Sequence, residues 1–72
     1  MSTTTRARAL FASSLRSCGH FDPAVVEQAI ETTMRELGAT GCLCALAQEY
    51  GDHPESALRR MRWALSVVAD AA

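Results

Sequence analysis

Six residues punctuate this 72-residue chain, and nearly everything between them is compatible with helix: Gly19, Pro23, Gly38, Gly41, Gly51 and Pro54. Glycine supplies the left-handed backbone that ends helices, and proline opens them because its missing N–H is unneeded there. Alanine-rich segments bounded in this way predict an all-α fold, a small bundle of three to four helices forming a single domain over residues 1–72. A chain this short buries a thin core, so an ideal bundle or a partner chain has to supply the remaining stability.

The punctuation places helices near 4–18, 23–37, 41–50 and 54–70. In the first, Thr4 or Thr5 is positioned to cap the free amides, Ala7, Leu10, Phe11, Leu15 and Cys18 share one face, and Gly19 is the expected stop. The second has the sharpest start. Asp22 stands at the cap, Pro23 at the first helical position, and Phe21 and Val26 are spaced for a hydrophobic staple. Val26, Ile30, Thr33, Met34 and Leu37 form its inward stripe, Glu31 is spaced to pair with Arg35, and Gly38 ends it. Thr40 caps a short third helix with Leu43, Leu46, Ala47 and Tyr50 inward, broken at Gly51. Asp52 or His53 caps the fourth, with Glu55 placed as in a capping box.

The last helix divides into two faces. Ala57, Leu58, Met61, Ala64, Leu65 and Val68 fall within one arc and are expected in the core. At about 100° per residue, Arg59, Arg60, Trp63 and Val67 fall on the opposite side. Tryptophan and arginine together outside a core suit a binding surface, because both contribute strongly when desolvated against a partner. Trp63 packing over the N-terminal helix as the edge of the core is the competing reading.

Charge is unevenly distributed although the net charge is −1. Residues 1–20 carry Arg6, Arg8 and Arg16 and no acid; residues 21–56 set seven acids against Arg35; residues 57–72 set Arg59, Arg60 and Arg62 against Asp70. Basic ends flanking an acidic middle fit complementarity between helices, within a chain or between copies, as well as they fit a binding role. All seven basic residues are arginine, lysine and asparagine are absent, and isoleucine occurs once, which is the bias of a GC-rich, bacterial coding genome. No apolar run reaches the ~20 residues of a membrane span and no apolar segment follows the N-terminal Met-Ser-Thr-Thr-Thr, so the expectation is a cytoplasmic protein without membrane partners.

The stretch LAQEYGDHPESALRRMRWAL, Leu46 to Leu65, resembles bacterial helix-turn-helix modules of the sigma-factor region-4 type. Leu46-Ala47 and Tyr50-Gly51 match the first helix and turn, and Ala57, Arg60, Met61 and Ala64 match the recognition helix. Asp52 and Ala57 depart from the pattern, which has an apolar turn residue and a β-branched residue there. The resemblance covers about twenty residues and implies double-stranded DNA as partner, with Arg59, Arg60, Arg62, Trp63 and Val67 as the binding residues. Against DNA stand Glu55 at the start of that helix and the weak overall charge; a homodimer would double the arginines and cover a thin core. The alternative is a protein partner, bound by a helical interaction module through the same Arg/Trp face.

Cys18, Cys42, Cys44, His20 and His53 are the candidate metal ligands. Cys42 and Cys44 sit two apart on a predicted helix and so point about 200° apart, no CxxC pair exists, and no metal or other cofactor is expected. Nor do the residues supply an orienting group for a Cys–His nucleophile, so no catalytic residues and no enzyme activity are expected.

Overall fold

Ser2, not Thr4 or Thr5, opens the first helix: its Oγ accepts the Thr5 amide at 3.2 Å. In this computed structural model, which describes residues 1–17 and 21–71, three helices follow: α1 (Thr3–Ala12), α2 (Pro23–Asp52) and α3 (Pro54–Ala71). The fold is all-α, with no strand among the described residues.

α1 stops at Ala12, six residues short of the expected end. Ser13 explains it. Its amide and its hydroxyl both donate to the Leu10 carbonyl, at 3.1 and 2.5 Å, and its Oγ accepts the Leu15 amide at 3.3 Å. Such local bonds offer the backbone an alternative to another helical turn. The expectations for Cys18, Gly19 and His20 lie outside the described residues. α1 buries Ala7, Ala9, Leu10 and Phe11, positions spread around most of its circumference, because it lies against both other helices.

α2 begins at Pro23 as expected, but the Asp22 side chain makes no capping bond; its carbonyl receives the Val25 and Val26 amides at 2.9 and 3.1 Å. The expected second and third helices both form, but they meet directly at Gly38, so that α2 is two helical segments, 23–37 and 39–52, joined across a kink at which φ is 69° and ψ is 174°. That region is open essentially to glycine alone. The bend folds residues 39–52 away from the line of residues 23–37, and the Cβ of Leu37 comes so close that a Cβ on Gly41 would lie 2.9 Å from it. Gly51 does not break the helix. It is helical, and so is Asp52, which removes the proposed capping box. One residue, His53, separates α2 from α3: its amide donates to the Glu49 carbonyl at 2.7 Å, and its carbonyl accepts the Ala57 amide at 2.9 Å.

The core joins Ala7, Ala9 and Leu10 of α1, Val26, Ile30 and Cys42 of α2, and Ala64 and Val68 of α3. Phe21 and Met34 pack against it, and Thr33 is buried with it. Five residues of the expected inward stripes are exposed instead. Leu37, Leu43 and Ala47 are exposed, with Cys42 taking the inward place in the second half of α2. Leu58 and Leu65 are exposed on α3. Glu31 and Arg35 are both exposed and form no ion pair; the one ion pair among the described residues joins Arg6 to Glu27, both guanidinium nitrogens meeting both carboxylate oxygens. It pins α1 to the first turns of α2. The radius of gyration, 11.1 Å, matches the roughly 11 Å expected of a packed chain of this length.

Two stability outcomes follow. Ile30→Ala, at a fully buried position, is expected to cost about 2–5 kcal/mol in urea denaturation. Gly51→Ala is expected to stabilise by about 0.5–1 kcal/mol, since a helical glycine costs that much relative to alanine, and a Cβ there meets nothing within 4 Å. Destabilisation by Gly51→Ala would restore Gly51 as a helix stop.

Candidate functional site

α3 carries every residue assigned a binding role from the sequence, and the structure splits that group in two. Arg59 and Arg62 are exposed. Arg60, Trp63 and Val67 are not outward as expected: all three are half-buried, and Trp63 and Val67 pack on the core. The inward arc of α3 is therefore rotated from the expected one, exchanging Leu58 and Leu65 for Arg60, Trp63 and Val67.

Arg60 causes the rotation. The last turn of α1 leaves carbonyls without helical partners, and the Arg60 guanidinium takes them. Nε donates to the Phe11 carbonyl at 2.7 Å, Nη2 to the Ser13 carbonyl at 2.9 Å and more weakly to that of Leu10 at 3.5 Å, and Nη1 to the Ser17 hydroxyl at 2.6 Å. A cation at a helix C-terminus also complements the helix dipole. The guanidinium carbon lies 5.1 Å from the Trp63 ring centre and 5.8 Å from that of Phe11, within cation–π range of both. Phe11 in turn stacks on Tyr50 of α2 at 6.2 Å, and Trp63 meets Phe21 edge-on at 6.5 Å. The four aromatic residues of the chain thus form two pairs bridged by one arginine. Burial pushes the Arg60 guanidinium below its ordinary pKa, and the Glu49 carboxylate partly opposes that shift.

The Trp63 Nε1 is buried and has no hydrogen-bond partner among the described residues. The signal that could have placed this group inward was present in the sequence. Arg60, Trp63, Ala64 and Val67 are spaced i, i+3, i+4, i+7, the stripe of a buried helix face, with an arginine standing where an apolar residue usually does.

The outer face of α3 presents a second stripe at the same spacing: Leu58, Met61, Arg62 and Leu65. Leu58 is 44 % and Leu65 41 % exposed, Met61 is half-buried between stripe and core, and Arg62 is exposed without a carboxylate partner among the described residues. An open groove of about 490 Å³ lies between the end of α1 and α2, lined by Leu15, Val25, Ala29 and Leu37 among others; among the described residues Glu36 is the one ionisable side chain in it.

Cys42 is buried, which raises its thiol pKa, and its sulfur lies 3.9 Å from that of Met34; Cys44 is exposed. No group of three or more His, Cys, Asp or Glu side chains among the described residues could hold a metal ion, and no described helix is long and apolar enough to cross a membrane. No protein-family model matches the chain, and no match was found among curated proteins or solved structures.

Arg60→Met keeps the bulk and removes the donors. It is expected to cost about 1–3 kcal/mol, the range for leaving buried carbonyls unsatisfied, whereas Arg59→Met should stay within about 0.5 kcal/mol. Arg60→Lys is expected to recover only part of the loss, because an ammonium lacks the planar fork. A second outcome concerns acid. The Arg6 guanidinium holds the Glu27 carboxyl below its ordinary range. The stabilisation from that pair is therefore complete above about pH 4.3, the unfolded-chain value, and is lost as pH falls through the depressed native value. Glu27→Gln should flatten this part of the acid-unfolding curve, and an unchanged curve would mean the pair contributes nothing.

Proposed function

We propose that this protein is a helical interaction module that docks on a partner protein through the outer stripe of α3. The observation that carries the reading is the pair of exposed leucines, Leu58 and Leu65, one heptad apart with Arg62 between them. Single exposed apolar residues are ordinary. Leu58, Met61, Arg62 and Leu65, however, repeat the i, i+3, i+4, i+7 anchor spacing with which helices enter apolar grooves. Arginine and methionine are also enriched at such interfaces, where lysine and glutamate are depleted. Arg60 and Trp63 leave this reading, because the Arg60 guanidinium and the Trp63 ring are engaged within the fold.

The helix-turn-helix reading, with double-stranded DNA as partner, rests on Arg59 and Arg62, which stand exposed on α3 without carboxylate partners among the described residues. Two features weigh against it. The junction before α3 is one residue where such motifs have a turn of three or four, and the guanidinium of Arg60 is held inward.

A photo-reactive amino acid in place of exposed Ser66 tests the docking reading in the source cell. A discrete cross-linked protein is expected, and it should disappear in Leu58→Ser/Leu65→Ser, provided circular dichroism shows that the variant keeps the parent helix content. In parallel, random duplex DNA is titrated at low salt. Tight binding that falls steeply with salt and is lost in Arg59→Ala/Arg62→Ala would replace the docking reading with the DNA one.

A further inference from the structure

Gly38 is the only residue within α2 whose backbone leaves the helical region, and helical residues flank it directly on both sides. The kink therefore joins two helical segments, 23–37 and 39–52, with no loop between them. Space does not keep other residues out, since a Cβ on Gly38 would meet nothing within 4 Å. Backbone conformation does, because φ 69° with ψ 174° is closed to L-residues other than glycine. Residues 39–71 form one continuous arm after the bend, since α2 and α3 are joined by a single residue bonded into both helices.

If Gly38 turned helical, α2 would run straight for about 45 Å at 1.5 Å per residue, well beyond the 30 Å longest dimension of the closed molecule. The arm 39–71 would lift off α1. That would separate Tyr50 from Phe11, Arg60 from the end of α1, and Cys42, Ala64 and Val68 from Leu10 and Ile30. The surface this exposes is apolar, and its exact complement is the arm of a second copy opened in the same way. Two such copies remake every one of these contacts in trans and differ from two closed monomers only at residue 38.

We propose that Gly38 is the hinge of a reciprocal arm exchange whose partner is a second copy of this chain. Leu37 and Leu43, 45 % and 46 % exposed in the closed form, flank the hinge where two straightened α2 helices pass each other. The closed and exchanged forms bury the same core, so their balance is set by hinge conformation and concentration.

The test uses handedness, and a 72-residue chain is within reach of chemical synthesis. Gly38→Ala prefers the straight helix and is expected to run as a dimer in light scattering, with wild-type helix content and a dimer more than about tenfold tighter than that of the wild type. Gly38→D-Ala occupies the bent conformation without strain, since a D-residue reverses the sign of the allowed φ. It is expected to be monomeric at every concentration and to melt above the wild type. A folded, monomeric Gly38→Ala protein overturns the proposal, as do equal association states for the two enantiomers. If Gly38→Ala does not fold, complementation with Gly38 unchanged decides. Chains carrying Leu10→Asp and Ala64→Asp, each unfolded alone, should regain helical circular dichroism as a 1:1 dimer when refolded together, because exchange gives one lobe free of both lesions. No recovery overturns the proposal.

Discussion

The guanidinium of Arg60 closes this molecule. α1 is ten residues long, too short to be stable in isolation, and its last turn has lost its own continuation to Ser13. Without an external donor the carbonyls of Phe11 and Ser13 would be half-buried and unpaired, each at a cost of about 1–3 kcal/mol. One planar side chain from α3 satisfies both while lying within reach of the faces of Phe11 and Trp63. Burial of the cation is itself unfavourable, which its lowered pKa records. The carbonyls, the ring faces and the Glu49 carboxylate offset that penalty. Because Phe11 also stacks on Tyr50 and Trp63 meets Phe21 edge-on, the same arginine ties α1, α2 and α3 at one end of the bundle. Arg6 and Glu27 tie α1 to α2 nearer its start.

That arrangement decides which part of α3 is left for other work. The apolar arc of α3 is wider than one side of a three-helix domain can cover. Turning Arg60, Trp63 and Val67 inward leaves Leu58 and Leu65 on the outside, and the reverse rotation would have covered the leucines at the expense of α1's carbonyls. The polar constraint prevails over the purely hydrophobic one: unsatisfied carbonyls and a stranded tryptophan cost more than two half-exposed leucines, each of which still keeps more than half of its surface covered. The proposed docking stripe is thus a consequence of how α1 is capped.

Much of the fold was legible in the sequence, and the failures have identifiable causes. Pro23 and Pro54 mark helix starts because proline's restrictions are local. Ile30, Val26, Ala57, Ala64 and Val68 are inward because the 3.6-residue period identifies the middle of an apolar arc well. Its edges are another matter: whether Leu58 or Trp63 lies inside depends on what packs opposite, and that information resides in α1. Gly38 was legible as an interruption, but a glycine with positive φ can end a helix or bend it, and only the following residues' contacts decide. Gly51 has the same local signal and a helical backbone, because nothing there demands a turn once His53 provides one. Arg60 as a cap was hidden by its type. A sequence pattern reads arginine as exposed, whereas this one is spaced 49 residues from the carbonyl it caps most closely.

The two proposals bear on one another through geometry. Arm exchange at Gly38 remakes the inner contacts of α3 in trans and leaves its outer stripe untouched, since Leu58, Arg62 and Leu65 take no part in closing the bundle. A closed monomer would present one docking stripe; an exchanged dimer would present two, fixed relative to each other by a rigid α2. A bivalent target would then bind the dimer more tightly than the monomer with no new contact at either stripe, because the second engagement becomes intramolecular. By linkage, such a target would itself draw the chain toward the exchanged form. A monovalent target would bind both forms equally and leave the hinge where concentration sets it.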